Sequence, residues 1–239
     1  MSHIILVRHG QASFLERDYD KLCANGEVQS RLLGEYWSRR GVMFDGVYSG
    51  PRARQLETAR LVTEAYRSAG VVFRETVVLS EFDEYQAEAA LRECLPRLLR
   101  ADSEIKDLHG AYENSSDAGD RRKTFQKLFE AVIGKWVAGE IAAAGVEPWQ
   151  EFCLRVERGL AQVVRDMAPA ANAVVFTSAG PIGAAMRRAL HLSAADTLQM
   201  TWMSRNAGFS EFLVSGERFT LSTFNAHPHL DGDGLLTYR

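Results

Sequence analysis

The amino-acid sequence is short of cysteine and has no long apolar run. Three cysteines among 239 residues (Cys23, Cys94 and Cys153) make neither a disulfide framework nor a Cys-x-x-Cys metal site, because they are widely spaced and odd in number. No stretch approaches the roughly 18 uninterrupted apolar residues of a membrane helix. The N-terminal apolar run is also far shorter than the core of a signal peptide. We therefore expect a cytoplasmic chain with no membrane partner.

Neither sign of charge is in marked excess. The 28 basic and 31 acidic side chains give a net charge of -3, so the chain has no general attraction to nucleic acid. A small basic pocket for an anionic substrate remains compatible with that balance. Charged residues make up 25% of the chain and hydrophobic residues 46%, which is typical of globular proteins and excludes a wholly disordered chain.

Short apolar runs alternate with helical patterns along much of the chain. Strands are predicted at residues 4–7, 46–49, 71–79 and 173–177, and a helix at about 52–69. An earlier helix is indicated by an apolar stripe made of Val28, Leu32, Leu33, Tyr36 and Trp37. This alternation predicts an α/β fold, a three-layer sandwich with a mostly parallel central sheet.

The middle of the chain does not show this alternation of strands and helices. Residues 84–167 contain no convincing strand, and helical stretches are indicated at 88–100, 123–140 and 148–167. The polar segment at 101–123 has the composition of a solvated loop. We interpret residues 1–239 as one domain that carries a helical insertion over about 84–167.

Charged side chains follow two of the predicted strands where each strand ends. The first strand leads into Arg8-His9-Gly10, and the second leads through Gly50-Pro51 to Arg52 and Arg54 at the start of a helix. Ligands of open parallel sheets bind beyond the carboxyl ends of the strands. Arginine binds phosphate or carboxylate through paired hydrogen bonds, and the N-termini of helices favour anions. The sequence therefore predicts an anion pocket with a histidine inside it.

These residues carry a family resemblance. Leu6-Val7-Arg8-His9-Gly10-Gln11 resembles the signature of the histidine phosphatase superfamily, which includes cofactor-dependent phosphoglycerate mutases and many acid phosphatases. Four later segments agree in order and approximate spacing: Leu22 to Gly34, Ser49 to Ala59, Leu79-Ser80-Glu81, and Asn225-Ala226-His227. The resemblance spans nearly the whole chain apart from the helical insertion.

The resemblance implies a mechanism without a metal ion or another cofactor. It implies that His9 attacks phosphorus and becomes a phosphohistidine, while Arg8 and Arg54 bind the phosphoryl oxygens. Glu81 is the implied proton donor and acceptor, with Asp83 and Glu84 as close rivals. Further phosphate contacts are expected from Gly10, Gln11, Ser178 and Gly180. The expected substrate is a small phosphorylated molecule, and a homodimer is left open.

One position departs from the family pattern. Where the family carries a second histidine after the late core strand, this chain has Ala179, within Thr177-Ser178-Ala179-Gly180-Pro181. Loss of one preorganised donor typically costs about 100- to 1,000-fold in rate. Three functions therefore stay open: a phosphomonoester hydrolase, which we prefer, a phosphoglycerate mutase-like phosphotransferase, and an impaired protein that binds or senses a phosphorylated ligand. The histidines at 109, 191, 227 and 229 are expected to be ordinary loop or surface residues.

Overall fold

The computed structural model describes residues 1–13 and 20–238. The first half of the chain contains β1 (Ser2–Arg8), α1 (Ala24–Arg39), β2 (Gly46–Ser49), α2 (Ala53–Ser68), β3 (Thr76–Val78) and a short 3-10 turn (Ser80–Phe82). Then come α3 (Ala87–Ala101), α4 (Ser103–Glu113), α5 (Ala118–Val137) and α6 (Trp149–Asp166). The chain continues with β4 (Asn172–Thr177), α7 (Ala179–Leu190), α8 (Ala194–Met203), β5 (Phe209–Ser215) and β6 (Arg218–Ala226).

The strands form one mixed sheet in the order β3-β2-β4-β1-β5-β6. β1 and β4, β4 and β2, and β2 and β3 pair in parallel, whereas β5 runs antiparallel to β1 and to β6. The predicted strands at 4–7, 46–49 and 173–177 are confirmed. The third is shorter than predicted, since pairing covers Thr76–Val78 instead of 71–79.

Both faces of the sheet are covered by helices, which confirms the α/β sandwich. On one face, Val7 of β1 packs with Trp37 of α1 and Tyr66 of α2 in a single buried cluster. On the other face, α7 packs against β1 and β6. Burial of both faces explains why the parallel strands read as continuous apolar runs in the sequence.

The buried face of α1 differs from the predicted stripe. Val28 is 46% exposed, whereas Gln29 and Ser30 are fully buried. Both polar side chains have backbone partners: Gln29 Nε2 donates to Leu235 O at 2.7 Å, and Ser30 Oγ donates to Gly26 O, one turn earlier in α1, at 2.7 Å. Polar side chains suit that face because buried polar groups need hydrogen-bond partners.

The chain divides into two compact units. One contains residues 1–84 and 154–239, and the other, Tyr85–Cys153, is helical and without a strand. The loop expected at 101–123 is a wrong prediction, because α4 and the start of α5 lie there. Asp102 and Asp117 cap these helices by accepting from Ile105 N at 3.1 Å and Asp120 N at 2.9 Å. Whether the whole chain is one domain stays a prediction.

Within the described residues, none of the helices combines the length and the apolar character needed to cross a membrane.

Candidate active site

The ends of β1 and β4 place His9 at the carboxyl edge of the sheet. β1 ends at Arg8, and the backbone N–H of His9 donates to the carbonyl of Thr177 at the end of β4, at 2.8 Å. His9 is 6% exposed. The imidazole therefore lies in a buried position at the edge where ligands of parallel sheets bind.

Hydrogen bonds fix the state of the His9 ring. Nδ1 lies 2.7 Å from the carbonyl oxygen of Gly10, which accepts but cannot donate, so Nδ1 carries the proton. Nε2 accepts from Nε of Arg54 at 3.1 Å. Burial, and then the positive charges of Arg54 and Arg8, hold the pKa of His9 well below its usual value near 6.5. The ring is therefore neutral at pH 7, and its lone pair is on Nε2.

A carboxylate that the sequence analysis did not single out holds Arg54. Nη1 of Arg54 lies 3.0 Å from Asp20 Oδ1, while Asp20 Oδ2 accepts from the backbone N–H of Ala53 at 2.9 Å. The Arg54 side chain is almost fully buried, so Asp20 balances a buried charge at the N-terminus of α2, where acids are favoured. More than thirty residues separate Asp20 from Arg54 in the chain, and no sequence spacing indicates this pair.

Arg8, the last residue of β1, is held by the segment between α8 and β5. Its Nη1 donates to the carbonyl of Ser204, and its backbone N–H donates to the carbonyl of Gly208 at 2.9 Å. Its charge contributes to the lowered pKa of His9. The structure therefore brings Arg8, His9 and Arg54 together.

Gly10 and Gln11 hold the loop after β1 against α1. A Cβ at Gly10 would lie 2.3 Å from the carbonyl oxygen of Gly26, so this close approach requires glycine. The N–H of Gly10 donates to Thr58 Oγ1 at 3.1 Å, and that of Gln11 donates to Gln29 Oε1 at 2.8 Å. Both amides are thus engaged within the protein, and a phosphate contact by either stays a prediction.

Ser178 is oriented by a buried glutamine. Its Oγ accepts from Gln55 Nε2 at 2.8 Å, and the same Nε2 donates to Phe82 O at 3.2 Å. Because the Ser178 oxygen accepts this bond, its own hydroxyl proton is available for donation. Ala179 follows as the first residue of α7 and places a methyl group where the family pattern has an imidazole.

The three candidate carboxylates have different partners. Asp83 pairs with Arg52 at 2.5 Å, and Glu84 Oε2 accepts from the backbone N–H of Gly180 at 3.2 Å. Glu81 Oε2 lies 3.4 Å from Ser80 Oγ, and the Glu81 backbone carbonyl accepts from Arg155 at 2.9 Å. The Gly180 amide is therefore engaged by Glu84, and its contact with phosphate stays a prediction.

Metal chemistry has no ligand set in the part of the chain that is described. Residues 1–13 and 20–238 contain no group of three or more histidine, cysteine, aspartate or glutamate side chains placed to hold an ion. The described site consists of a neutral imidazole, two guanidiniums, a hydroxyl, backbone amides and the carboxylates that face Arg54 and Gly180. Such a set suits the binding and transfer of a phosphoryl group.

Comparisons with known proteins show the family and the fold of this chain. The sequence model of the histidine phosphatase superfamily (branch 1) matches residues 4–94 and 109–227. No curated protein matches the chain in sequence.

Solved structures show the same fold. A phosphoserine phosphatase mutant from Entamoeba histolytica, in complex with phosphoserine, is 17% identical with a TM-score of 0.63, over 96% of this chain and 100% of that one. A putative alpha-ribazole-5'-P phosphatase from Escherichia coli is 19% identical with a TM-score of 0.64, over 95% and 97%. A phosphoglycerate mutase from Bacillus anthracis is 15% identical with a TM-score of 0.61, over 95% and 94%.

Proposed function

Because this chain belongs to the histidine phosphatase superfamily, we propose that it is a metal-independent phosphomonoester hydrolase that acts through a phosphohistidine. The observation that carries the proposal is the state of His9. Its proton is on Nδ1, bonded to the Gly10 carbonyl, and its lone pair is on Nε2, beside Arg54. A nucleophilic imidazole must be neutral at the attacking nitrogen, and the lowered pKa of His9 keeps it so.

The first step transfers the phosphoryl group to the enzyme. Nε2 of His9 attacks phosphorus and forms an N–P bond, the P–O bond to the leaving group breaks, and its electron pair goes to the alkoxide. Glu81 is proposed to protonate that alkoxide, on the strength of its place in the Leu79-Ser80-Glu81 segment and on the 3-10 turn beside Thr177 and Gln55.

The second step releases phosphate. Glu81, now ionised, takes a proton from water, and the water oxygen attacks phosphorus. The N–P bond breaks, its electron pair returns to Nε2, and His9 is again neutral. Two moderate barriers replace one high barrier, which is the advantage of covalent catalysis.

The two arginines stabilise charge on the phosphoryl oxygens. Arg54 Nε–H donates to His9 Nε2 in the free protein, so the bound phosphoryl group has to accept that bond before Nε2 can attack. The exchange frees the nucleophile at the moment when the phosphoryl oxygens arrive. Arg8 supplies a second positive charge, which also acts on His9.

Two other functions rest on specific observations. Ala179 offers neither a hydrogen-bond donor nor a charge at the start of α7, which favours a protein that binds a phosphorylated ligand and turns it over slowly or not at all. A mutase would use the same His9 chemistry and return the phosphoryl group to an alcohol instead of water, as the similarity to a phosphoglycerate mutase fold allows.

A panel of phosphate esters assayed with the unaltered protein and with His9→Ala tests the proposal. We expect hydrolysis by the unaltered protein and its loss in His9→Ala, while His109→Ala, on α4, keeps full activity. Binding without hydrolysis of any ester would establish the binding protein instead. Interconversion of phosphoglycerates faster than their hydrolysis would establish the mutase.

A further inference from the structure

The short 3-10 turn that carries Glu81 is bound by an arginine of helix α6. Nη1 of Arg155 donates to the backbone carbonyls of Glu81 at 2.9 Å and Ser80 at 3.1 Å. The same nitrogen donates to the carbonyl of Asp83 at 3.2 Å. Hydrogen bonds from a charged donor are stronger than those between neutral groups. Arg155 therefore fixes the backbone of the turn to α6.

The remaining carbonyl of the turn, that of Phe82, is bound by two other side chains. It accepts from Thr177 Oγ1 at 2.9 Å and from Gln55 Nε2 at 3.2 Å. Every carbonyl of residues 80–83 thus accepts a hydrogen bond from a side chain of α2, β4 or α6. A single 3-10 turn has little stability of its own, so its position depends on these side chains.

A buried glycine of α6 lets the Glu81 side chain approach the helix. Gly159 lies four residues after Arg155, on the same face of α6. A Cβ at Gly159 would lie 2.6 Å from Cβ of Glu81 and 3.2 Å from Cζ of Phe82, which is closer than side chains pack. Glycine inside a helix is less stable than alanine, so this close approach costs some helix stability. Arg155 and Gly159 therefore both act at the turn that carries Glu81.

The Glu81 carboxylate itself has no cationic partner among the described residues, 1–13 and 20–238. Its hydrogen bond to Ser80 Oγ is long, at 3.4 Å, whereas Asp83 on the same loop pairs with Arg52. A nearby cation favours the ionised form of a carboxylate, and a proton donor has to be able to leave that form. The position of Glu81 is therefore set through its backbone, which Arg155 binds.

We propose that Arg155 is a positioning residue for the transfer of a proton from Glu81 to the leaving group, and that Gly159 permits the approach that this position requires. The inference rests on the proposed function and adds α6 to the elements that build the site. Loss of Arg155 displaces the carboxylate of Glu81 without changing its charge. The attack of His9 on phosphorus is affected much less, because other residues hold the imidazole.

The dependence of the rate on the leaving group tests this role. The alkoxide of glycerol 3-phosphate needs a proton and p-nitrophenolate needs none, so the readout is kcat/KM for glycerol 3-phosphate divided by kcat/KM for p-nitrophenyl phosphate. We expect this ratio to fall about 10- to 100-fold in Arg155→Gln, since a displacement of about 1 Å can cost 100-fold in rate. Arg155→Lys, which keeps one charged donor, should recover part of the ratio. Arg158→Gln, which removes an exposed arginine of α6, should keep it.

Gly159→Ala tests the close approach without removing a charge. The added Cβ meets Cβ of Glu81, so the ratio should fall in the same direction as in Arg155→Gln. Gly134→Ala, inside α5, is the matched control because its Cβ would meet nothing within 4 Å, and it should keep the ratio. An unchanged ratio in Gly159→Ala would show that the turn has no need of this fit.

A double variant identifies the group on which Arg155 acts. In a Glu81→Gln background, which lacks the proton donor, Arg155→Gln should leave the ratio unchanged, because the effects of residues that act as a unit are not additive. A further fall in the double variant, as large as in Arg155→Gln alone, would show that Arg155 acts on a different group and would overturn the proposal.

The failure of the proposed function is distinguishable from the failure of the positioning role. Hydrolysis of neither ester by the unaltered protein would overturn both. If the unaltered protein hydrolyses the esters and Arg155→Gln lowers kcat/KM equally for the two, or for neither, the positioning role alone is overturned, and an equal fall makes Arg155 a structural support. If Arg155→Gln does not fold, Arg155→Lys and Gly159→Ala decide the question by the same ratio.

Discussion

Arg54 Nε lies 3.1 Å from Nε2 of His9, so the proposed nucleophile and the proposed phosphate-binding guanidinium are hydrogen-bonded to each other. The contact has two consequences. It holds the lone pair of His9 at a defined position, and the adjoining charge helps to lower the pKa of the ring. A phosphoryl group that takes over the Arg54 hydrogen bond releases the nucleophile as it binds.

Asp20 is predicted to position Arg54. Asp20→Asn removes the negative charge that faces Arg54 Nη1 and Ala53 N, and we expect kcat/KM to fall about 10- to 100-fold because the guanidinium is less well held. The uncompensated charge of Arg54 should also lower the pKa of His9 further, which moves the acidic limb of the pH profile of kcat/KM to lower pH.

A matched control for Asp20 is Glu57→Gln, which breaks the exposed Glu57–Arg60 pair on the same helix. In that variant, kcat/KM and the position of the acidic limb of its pH profile should both stay unchanged. A fall in kcat/KM with no displacement of the limb would show that Asp20 stabilises the fold without acting on the charge around His9.

Glu81 and Glu84 are predicted to differ in their dependence on the leaving group. Glu81→Gln should lower kcat/KM, which reports the transfer of the phosphoryl group to His9, about 100- to 10,000-fold for alkyl phosphates, whose alkoxide needs a proton. The loss should be much smaller for p-nitrophenyl phosphate, whose leaving group needs none. Glu84→Gln, which loosens the contact with the Gly180 amide, should affect both substrates alike. The reverse pattern would assign the acid and base role to Glu84.

Ala179→His is predicted to raise activity. A donor at the start of α7 would add a hydrogen bond to the phosphoryl group, and kcat should rise by up to about 100-fold. Ala179→Leu, which adds bulk without a donor, should not raise it. An unchanged or lower kcat in Ala179→His would show that neighbouring groups such as Ser178 already fill that role.

His229 is predicted to make stability depend on pH. Its ring is buried near Tyr36 and Phe209, and burial, followed by the electrostatic interaction with His227, lowers its pKa to about 4. Between pH 6.5 and 4 the unfolded chain binds a proton that the folded protein does not, so the free energy of unfolding falls as pH falls.

The His229→Phe variant measures this effect. From pH 7 to pH 5, His229 should lower the free energy of unfolding of the unaltered protein by about 2 kcal/mol. Denaturant titrations of His229→Phe should not show this decrease. A smaller dependence of the free energy of unfolding on pH remains in His229→Phe, because the lowered pKa of His9 acts in the same direction. His109→Gln, on α4, should behave as the unaltered protein, and an equal slope in His229→Phe would contradict the prediction.

The sequence predicts the parallel core well because its strands are buried on both sides. In the sequence, β1, β2 and β4 are short apolar runs that each end at polar residues. The structure places these polar residues at the carboxyl edge of the sheet. β5 and β6 are not predicted from apolar runs, because buried and exposed residues are mixed along them, as in β6 from Phe219 onward. Only the resemblance at Asn225-Ala226-His227 indicates a final strand there.

Contacts between distant residues set the limit of prediction for the site. Arg8, His9 and Arg54 can be found because strand ends and a helix start mark them. Asp20 contacts Arg54, which is 34 residues away in the sequence, and Arg155 contacts Glu81, which is 74 residues away. No local sequence pattern indicates either pair. The helix α4 is missed because its polar sequence is held by one buried residue, Ile105, and one cap, Asp102.

The central claim, that His9 becomes phosphorylated, is tested most directly by trapping the intermediate. The protein is quenched during turnover of a phosphate ester, and the modified peptide is mapped by mass spectrometry. We predict a phosphoryl group on His9 that is labile in acid and stable in base, and none in His9→Ala. Steady hydrolysis with no phosphoryl group on His9, and with activity kept in His9→Ala, would contradict the account.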